Sequence, residues 1–191
     1  MAARAGSKVT IIERGDRPLK AFDSDLVSQL TKVSKDLGIQ FIFNSEIRKL
    51  EKLRKNLKVS YKVNGKTRTQ KARIVLNTAG RIPSVATLNL EKGNVMFSSK
   101  GIKVNSYLQS TSNRNVYACG DVSDHSLPLT PLSGIEGNTV AENILQGNKK
   151  KITVPIVPSS IFTLHNLASV RLSEDEAKKR YKNVTINYES V

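Results

Sequence analysis

Three observations predict an α/β fold for this chain: a β-branched strand that ends in charge, an amphipathic helix after it, and a second apolar strand beyond a glycine. The first is Lys8-Val9-Thr10-Ile11-Ile12-Glu13-Arg14, which reads as a buried parallel strand reaching the edge of a sheet. Asp16, Arg17 and Pro18 break it. Asp23 and Ser24 are candidate N-caps for a helix through Leu37, with Leu26, Leu30, Val33 and Leu37 on one face and Gly38 closing it. A strand from Ile39 to Phe43 completes a strand-helix-strand unit, whose parallel strands need a right-handed crossover.

The elements that follow change character. Glu46 to Leu53 and Leu57 to Val63 have strand composition, and Asn64-Gly65 is a hairpin signal leading into Thr67 to Ala72. The apolar run Ile74-Val75-Leu76 predicts a return to the main sheet, ending at Asn77-Thr78-Ala79-Gly80-Arg81. Residues 82–100 are irregular and turn-rich. Short strands are expected at Ile102 to Val104 and Val116 to Ala118, then a helix from about Pro131 to Leu145 that Gly147 ends. Pro155 and Pro158 mark a boundary. A strand near Ser160 to Leu164, a helix start at Ser173-Glu174-Asp175-Glu176 with capping-box spacing and a strand at Val184 to Asn187 close the chain.

Composition narrows the function. The chain has 191 residues, 38% of them hydrophobic, which is enough apolar surface for a packed core. No apolar run approaches the roughly 20 residues that span a bilayer, and the N-terminus has no hydrophobic signal core, so a cytoplasmic location is expected. The net charge of +15 favours nucleic acid, anionic membranes or phosphorylated ligands. The basic residues are scattered, however, with only Lys149-Lys150-Lys151 forming a run, so a solvated surface accounts for them equally well and nucleic acid is not the favoured partner. Cys119 is the single cysteine and no His/Cys cluster offers a metal site, which excludes a self-contained dithiol enzyme.

Two places carry chemistry. A strand followed by a helix becomes a nucleotide site when backbone N–H groups face a pyrophosphate and an acidic residue ends a strand. Glu13 suits the hydroxyls of an adenosine ribose, whereas Arg14, Arg17 and Lys20 beside it would suit a 2′-phosphate, so NAD and NADP both stay open. No GxGxxG occurs in the chain, and the pyrophosphate loop is expected upstream of Met1. The second place is Asn115-Val116-Tyr117-Ala118-Cys119-Gly120-Asp121-Val122, where a strand ending in Gly-Asp brings the backbone close to a ligand and offers one carboxylate to a sugar hydroxyl.

That last segment resembles the second FAD-binding motif of the pyridine nucleotide-disulfide oxidoreductases, the family of glutathione reductase and dihydrolipoamide dehydrogenase. Further segments match in the family's order: Phe22-Asp23; Thr78-Ala79-Gly80-Arg81-Ile82-Pro83, similar to ATGRxPN; Leu129 to Gly137, similar to LTPVAxxEG; and Ser159 to Ala177, similar to the opening of the dimerisation domain. The likeness spans essentially the whole chain. It implies a partial doubly wound NAD(P)-binding domain over 1–82, a central FAD-binding segment over 83–152, and the start of an α+β dimerisation domain over 153–191. It also implies FAD and NAD(P)H as cofactors and a homodimer. Gly120 and Asp121 would meet the ribityl chain, Thr130 would cap the helix beneath the flavin, with Pro131 opening it, and Gly80 would lie near the nicotinamide cofactor.

The departures are specific. His165 replaces the proline of FTxP, Arg171 the glycine of ASVGL, and Ser84 the asparagine after the GRxP proline, while Cys119 stands where a small or aliphatic residue is usual and reads as a packed core thiol. The family's redox cysteine pair, its acid-base histidine and the partnering glutamate have no counterpart here, so the chain is expected to be an inactive fragment of an FAD-dependent NAD(P)H:disulfide oxidoreductase. The other readings are an inert assembly module that associates through unpaired sheet edges and a basic nucleic-acid-binding protein.

Overall fold

The computed structural model describes residues 1–125, 127–153, 156–163 and 165–189. They form two compact units, Met1–Asn77 with Ile156–Val191, and Thr78–Pro155.

In the first unit, β1 (Thr10–Ile12) pairs in parallel with β2 (Gln40–Ile42), and α1 (Ser24–Asp36) makes the crossover. Asp25 in the first turn of α1 and Lys35 in its last complement the helix dipole, and Gly38, at φ +83°, reverses the chain into β2. The Asp23 carboxylate does not cap α1; its Oδ1 accepts the Glu174 N–H at 2.6 Å. The buried side of α1 centres on Val27, while Leu26 and Leu37 are exposed, so the covered stripe is turned by about one residue from the one that the leucine spacing predicts.

An antiparallel meander follows: β3 (Ser45–Lys52), β4 (Leu57–Val63) and β5 (Lys66–Ala72), with a bulge between Ile47 and Lys49. Asn64 and Gly65 both take positive φ, as a two-residue type I′ turn requires. Val59 and Tyr61 on β4 are buried. The predicted return strand at Ile74-Val75-Leu76 does not form, and Ile74 and Leu76 are 71% and 80% exposed. The sheet of β1 and β2 stays at two strands, and the run does not join it.

The second unit supplies β6 (Phe97–Ser98) and β7 (Gly101–Ile102); the C-terminal segment of the first adds β8 (Pro158–Ile161), antiparallel to β9 (Leu167–Val170), and α3 (Glu174–Arg180). Pro158 opens β8, whereas Pro155 and Leu164, which the sequence reading includes in a boundary and a strand, lie outside the described residues. Arg171 sits at φ +66°, the left-handed conformation that glycine adopts at no steric cost. The capping box forms as expected: Ser173 Oγ accepts from Glu176 N–H, and Glu176 Oε2 accepts from Ser173 N–H at 2.9 Å. The bond from the Ser173 N–H first, and then one that the Ser173 hydroxyl donates to the same oxygen at 2.9 Å, hold the Glu176 carboxyl below its ordinary pKa. Val184 to Asn187 is not a strand, since no sheet edge pairs with it.

The second unit is built on loops. A short hairpin, β6 (Phe97–Ser98) and β7 (Gly101–Ile102), forms a parallel bridge from Ile102 to Ser123. A Cβ on Gly101, at φ +128°, would stand 2.5 Å from the Val122 carbonyl oxygen, so only glycine permits this approach. Val85, Leu90, Val95, Ile102 and Ala118 form one apolar core, flanked by Val104, Val116 and Val122. The strand expected over Val116 to Ala118 is reduced to a single bridge between Gln109 and Tyr117. Helix α2 (Thr130–Gln146) buries Leu132, Glu136, Thr139 and Asn143. Asn143 Nδ2 donates to the carbonyls of Tyr107 and Lys150, and its Oδ1 accepts the Lys150 N–H, clasping two loops to the helix.

Candidate functional site

Residues 119–121 leave the apolar core as extended backbone at Cys119 and turn through a 3-10 segment, Gly120–Val122. Gly120 takes φ +69°, and a Cβ there would lie 3.0 Å from Ser133 Oγ on the first turn of α2. Its N–H donates to Glu136 Oε2 at 2.5 Å. Glu136 is 1% exposed. The turn and α2 are thus joined by a hydrogen bond to a buried carboxylate, a kind of bond stronger than its neutral counterpart. The Cys119 thiol, half-buried, is pushed above its ordinary pKa, by burial first and then by the Glu136 carboxylate.

Asp121 follows with its carboxylate in a cavity of about 400 Å³ lined also by Arg81, Ile82, Pro83, Ser99, Lys100, Ser123, Asp124, Leu127 and Pro128. Arg81 Nη1 donates to Asp121 Oδ2 at 2.9 Å and approaches the Pro128 carbonyl at 3.4 Å. Both side chains of this ion pair are exposed, at 67% for Arg81 and 46% for Asp121. The carboxylate therefore remains open to a hydroxyl donor while the guanidinium orients it. Thr130 is the first residue of α2, with Pro131 next; Leu129 holds the N-cap position and no side chain caps the helix, so the predicted Thr130 cap is not formed. Thr130 is exposed at a helix start, where N–H groups and a partial positive charge collect. Gly80 has φ +122° and nothing within 4 Å of where a Cβ would be, so its backbone conformation, not crowding within the chain, calls for glycine.

In the first unit, Glu13 follows β1, and its Oε1 accepts the Gly15 N–H at 2.8 Å, which fixes the carboxylate at the strand end. Arg17 turns inward on its own loop: Nη1 donates to the Phe22 carbonyl at 2.9 Å, and Nη2 to that of Lys20 at 3.3 Å. Arg14 is exposed beside them. Glu13 and the exposed Arg14 thus stand side by side at the strand end, and Arg17 organises the loop that presents them.

Two residues of this arrangement are not singled out from the sequence. Arg81 lies inside a quoted motif but is paired with Asp121 only by the fold, across 40 residues. Glu136 was legible in principle: Leu132, Glu136, Thr139 and Asn143 follow helical spacing, and a glutamate on a buried stripe announces a partner. Among the described residues there is no group of three or more His, Cys, Asp or Glu side chains that could hold a metal ion, and no helix is long and apolar enough to cross a membrane.

The sequence profile of the family described as "Pyridine nucleotide-disulphide oxidoreductase" matches residues 1–142. An uncharacterized 19.7 kDa protein in the mercuric resistance operon of Staphylococcus aureus is 47% identical over 105 residues, 54% of this chain and 58% of that protein. Mercuric reductase of Staphylococcus aureus is 34% identical over 180 residues, which cover 92% of this chain and 32% of the reductase. Among solved structures, the Cu(II) complex of the HOCl-induced flavoprotein disulfide reductase RclA from Escherichia coli superimposes with a TM-score of 0.80 at 25% identity, over 93% of this chain and 40% of that one. The chain spans about a third of the length of the reductase and just over half that of the 19.7 kDa protein.

Proposed function

The chain belongs to the pyridine nucleotide-disulphide oxidoreductase family, and on that premise we propose that residues 83–152 form one wall of an FAD site, residues 1–82 part of an NAD(P) site and residues 153–191 the opening of a dimerisation domain. Members of this family use FAD and NAD(P)H. The observation that carries the proposal is the Gly120–Asp121 turn, held by buried Glu136 and opening into the cavity beside Arg81.

FAD, when bound, supplies the ring that passes electrons between NAD(P)H and a disulfide. This chain's own part is positional. Asp121 accepts hydrogen bonds from ribityl hydroxyls, Gly120 keeps the turn flush with α2, and Thr130 marks the helix start whose partial positive charge suits negative charge on the reduced ring. Glu13 with Arg14 meets the adenosine ribose or its phosphate. Arg17 shapes that loop, and Gly80 lies near the nicotinamide cofactor.

The sequence contains neither GxGxxG nor a second cysteine, so by itself the chain does not reduce disulfides and holds FAD weakly. A homodimer through the β8–β9 hairpin and α3, in the cytoplasm, belongs to the same reading. Amide NMR of the full chain at millimolar FAD tests the wall: shifts are expected to cluster at Gly120, Asp121 and Thr130. Shifts confined to other residues, or stoichiometric flavin with NAD(P)H-dependent disulfide turnover by this chain alone, would overturn the proposal.

A further inference from the structure

The +15 charge is unevenly placed. Residues 45–73 hold eleven of the 31 Lys and Arg but two of the 16 Asp and Glu. Along the sequence they alternate with other residue types, and the antiparallel register gathers them. Leu57 lies between Lys52 and Ala72, and Lys58 between Glu51 and Lys71. Lys52, Lys58 and Lys71 therefore share one end of the sheet with the turn that bears Arg54 and Lys55, closed by Leu53 N–H to the Asn56 carbonyl at 2.8 Å, and with Arg73 just past β5. Glu51, the one carboxylate of residues 51–58 and 71–73, already takes Lys49 at 2.9 Å and Lys58 at 3.4 Å. Lys58 and Lys71 stand directly opposite each other, an arrangement that opposes folding. An anion laid on this end would relieve that repulsion.

We infer that this end of the β3–β5 sheet is a docking surface for the phosphate backbone of double-stranded nucleic acid. Its shape favours a groove over a plane. Strands lie about 4.8 Å apart, so the end of the β3–β4 hairpin, with Lys52, Arg54, Lys55 and Lys58, has the width of a two-stranded ribbon and enters a major groove about 12 Å wide, while Lys71 and Arg73 at the end of β5 lie toward one phosphate row. A flat anionic membrane would touch only the apex residues. Residues 45–58 and 66–73 contain no aromatic side chain, and Tyr61 is buried, so there is no stacking platform for single strands. A second copy of this chain would be repelled. The cations contact phosphate, not bases, so binding is independent of sequence.

The test is fluorescence anisotropy of the full chain with a labelled 24-base-pair duplex of arbitrary sequence, across 20–300 mM KCl. Binding is expected to weaken steeply with salt. The triple variant Arg54→Gln, Lys55→Gln, Lys71→Gln should lower affinity at least about tenfold at 50 mM salt and flatten the log–log salt slope by about 2.7, three phosphate contacts' worth. The charge-conserving triple Arg54→Lys, Lys55→Arg, Lys71→Arg should bind as the parent does, which separates charge from folding. Neutralising Lys149, Lys150 and Lys151 to Gln, an equal loss of charge elsewhere, should change affinity less than about twofold. Equal losses from both neutral triples, no binding by the parent chain at 50 mM salt, or binding to phosphatidylserine vesicles in preference to the duplex would each overturn the inference.

Discussion

The two units hold their candidate site residues in opposite ways. In the second, a contiguous apolar core and a buried carboxylate fix the turn that carries Asp121, while Asp121 itself opens to a cavity. In the first, buried side chains such as Val27 and Tyr61 are set in separate elements, and Arg17 is bound up in its own loop. The difference teaches that a ligand-facing residue is precise only when the residues behind it are buried and satisfied. By that criterion the proposed flavin wall is the better-formed of the two candidate sites.

The sharpest way to break the contrast is at Gly101. Alanine there meets the Val122 carbonyl oxygen at 2.5 Å in a left-handed backbone. Overpacking and strain together should cost roughly 3–5 kcal/mol, read as an early loss of the second unit in thermal unfolding, with amide exchange rising across residues 101–124. Unchanged exchange in that segment would show that the Gly120–Asp121 turn does not depend on the hairpin. Next in size, Glu136→Ala leaves the half-buried Gly120 N–H without its buried carboxylate partner and should cost about 2–4 kcal/mol, lowering the midpoint by roughly 4–16 °C in a chain of this size. Val27→Ala, the matching deletion in the first unit, should cost less, about 1–2 kcal/mol, because a smaller side chain leaves a smaller cavity. A larger loss at Val27 than at Glu136 would reverse the comparison.

A smaller effect runs in the other direction. Arg171 holds φ +66° where the family's pattern has glycine. Arg171→Gly should therefore stabilise the first unit by about 1 kcal/mol, seen as a rise in midpoint, and a fall would show that the arginine side chain contributes more than the backbone strain removes.

Much of this was written in local chemistry. The Asn64-Gly65 turn, the Ser173–Glu176 capping box and the Gly38 stop each depend on a few adjacent residues, and each forms where the sequence places it. The Ile74-Val75-Leu76 run failed for a non-local reason, since an apolar run becomes a strand only beside another strand. The stripe on α1 turned because packing, not leucine count, selects the buried face. Arg81 with Asp121 and the basic sheet end were invisible for a related reason: charges 40 residues apart, or on three strands, meet only through register.

The finest distinction concerns what Glu136 does, and Glu136→Gln separates its geometry from its charge. Glutamine keeps an acceptor for the Gly120 N–H but removes the carboxylate that, after burial, raises the Cys119 pKa. An acid whose folded pKa exceeds its unfolded value binds more protons when folded. Its stabilisation is thus complete below the ordinary thiol range, near pH 8.5, and is lost as pH rises through the raised value. Folded Cys119 should react with a thiol-specific reagent at pH 8 more slowly than the unfolded chain. Glu136→Gln should speed that reaction modestly while leaving the amide resonances of Gly120 and Asp121 in place. If both resonances move, the carboxylate charge, and not merely an acceptor at that point, holds the turn.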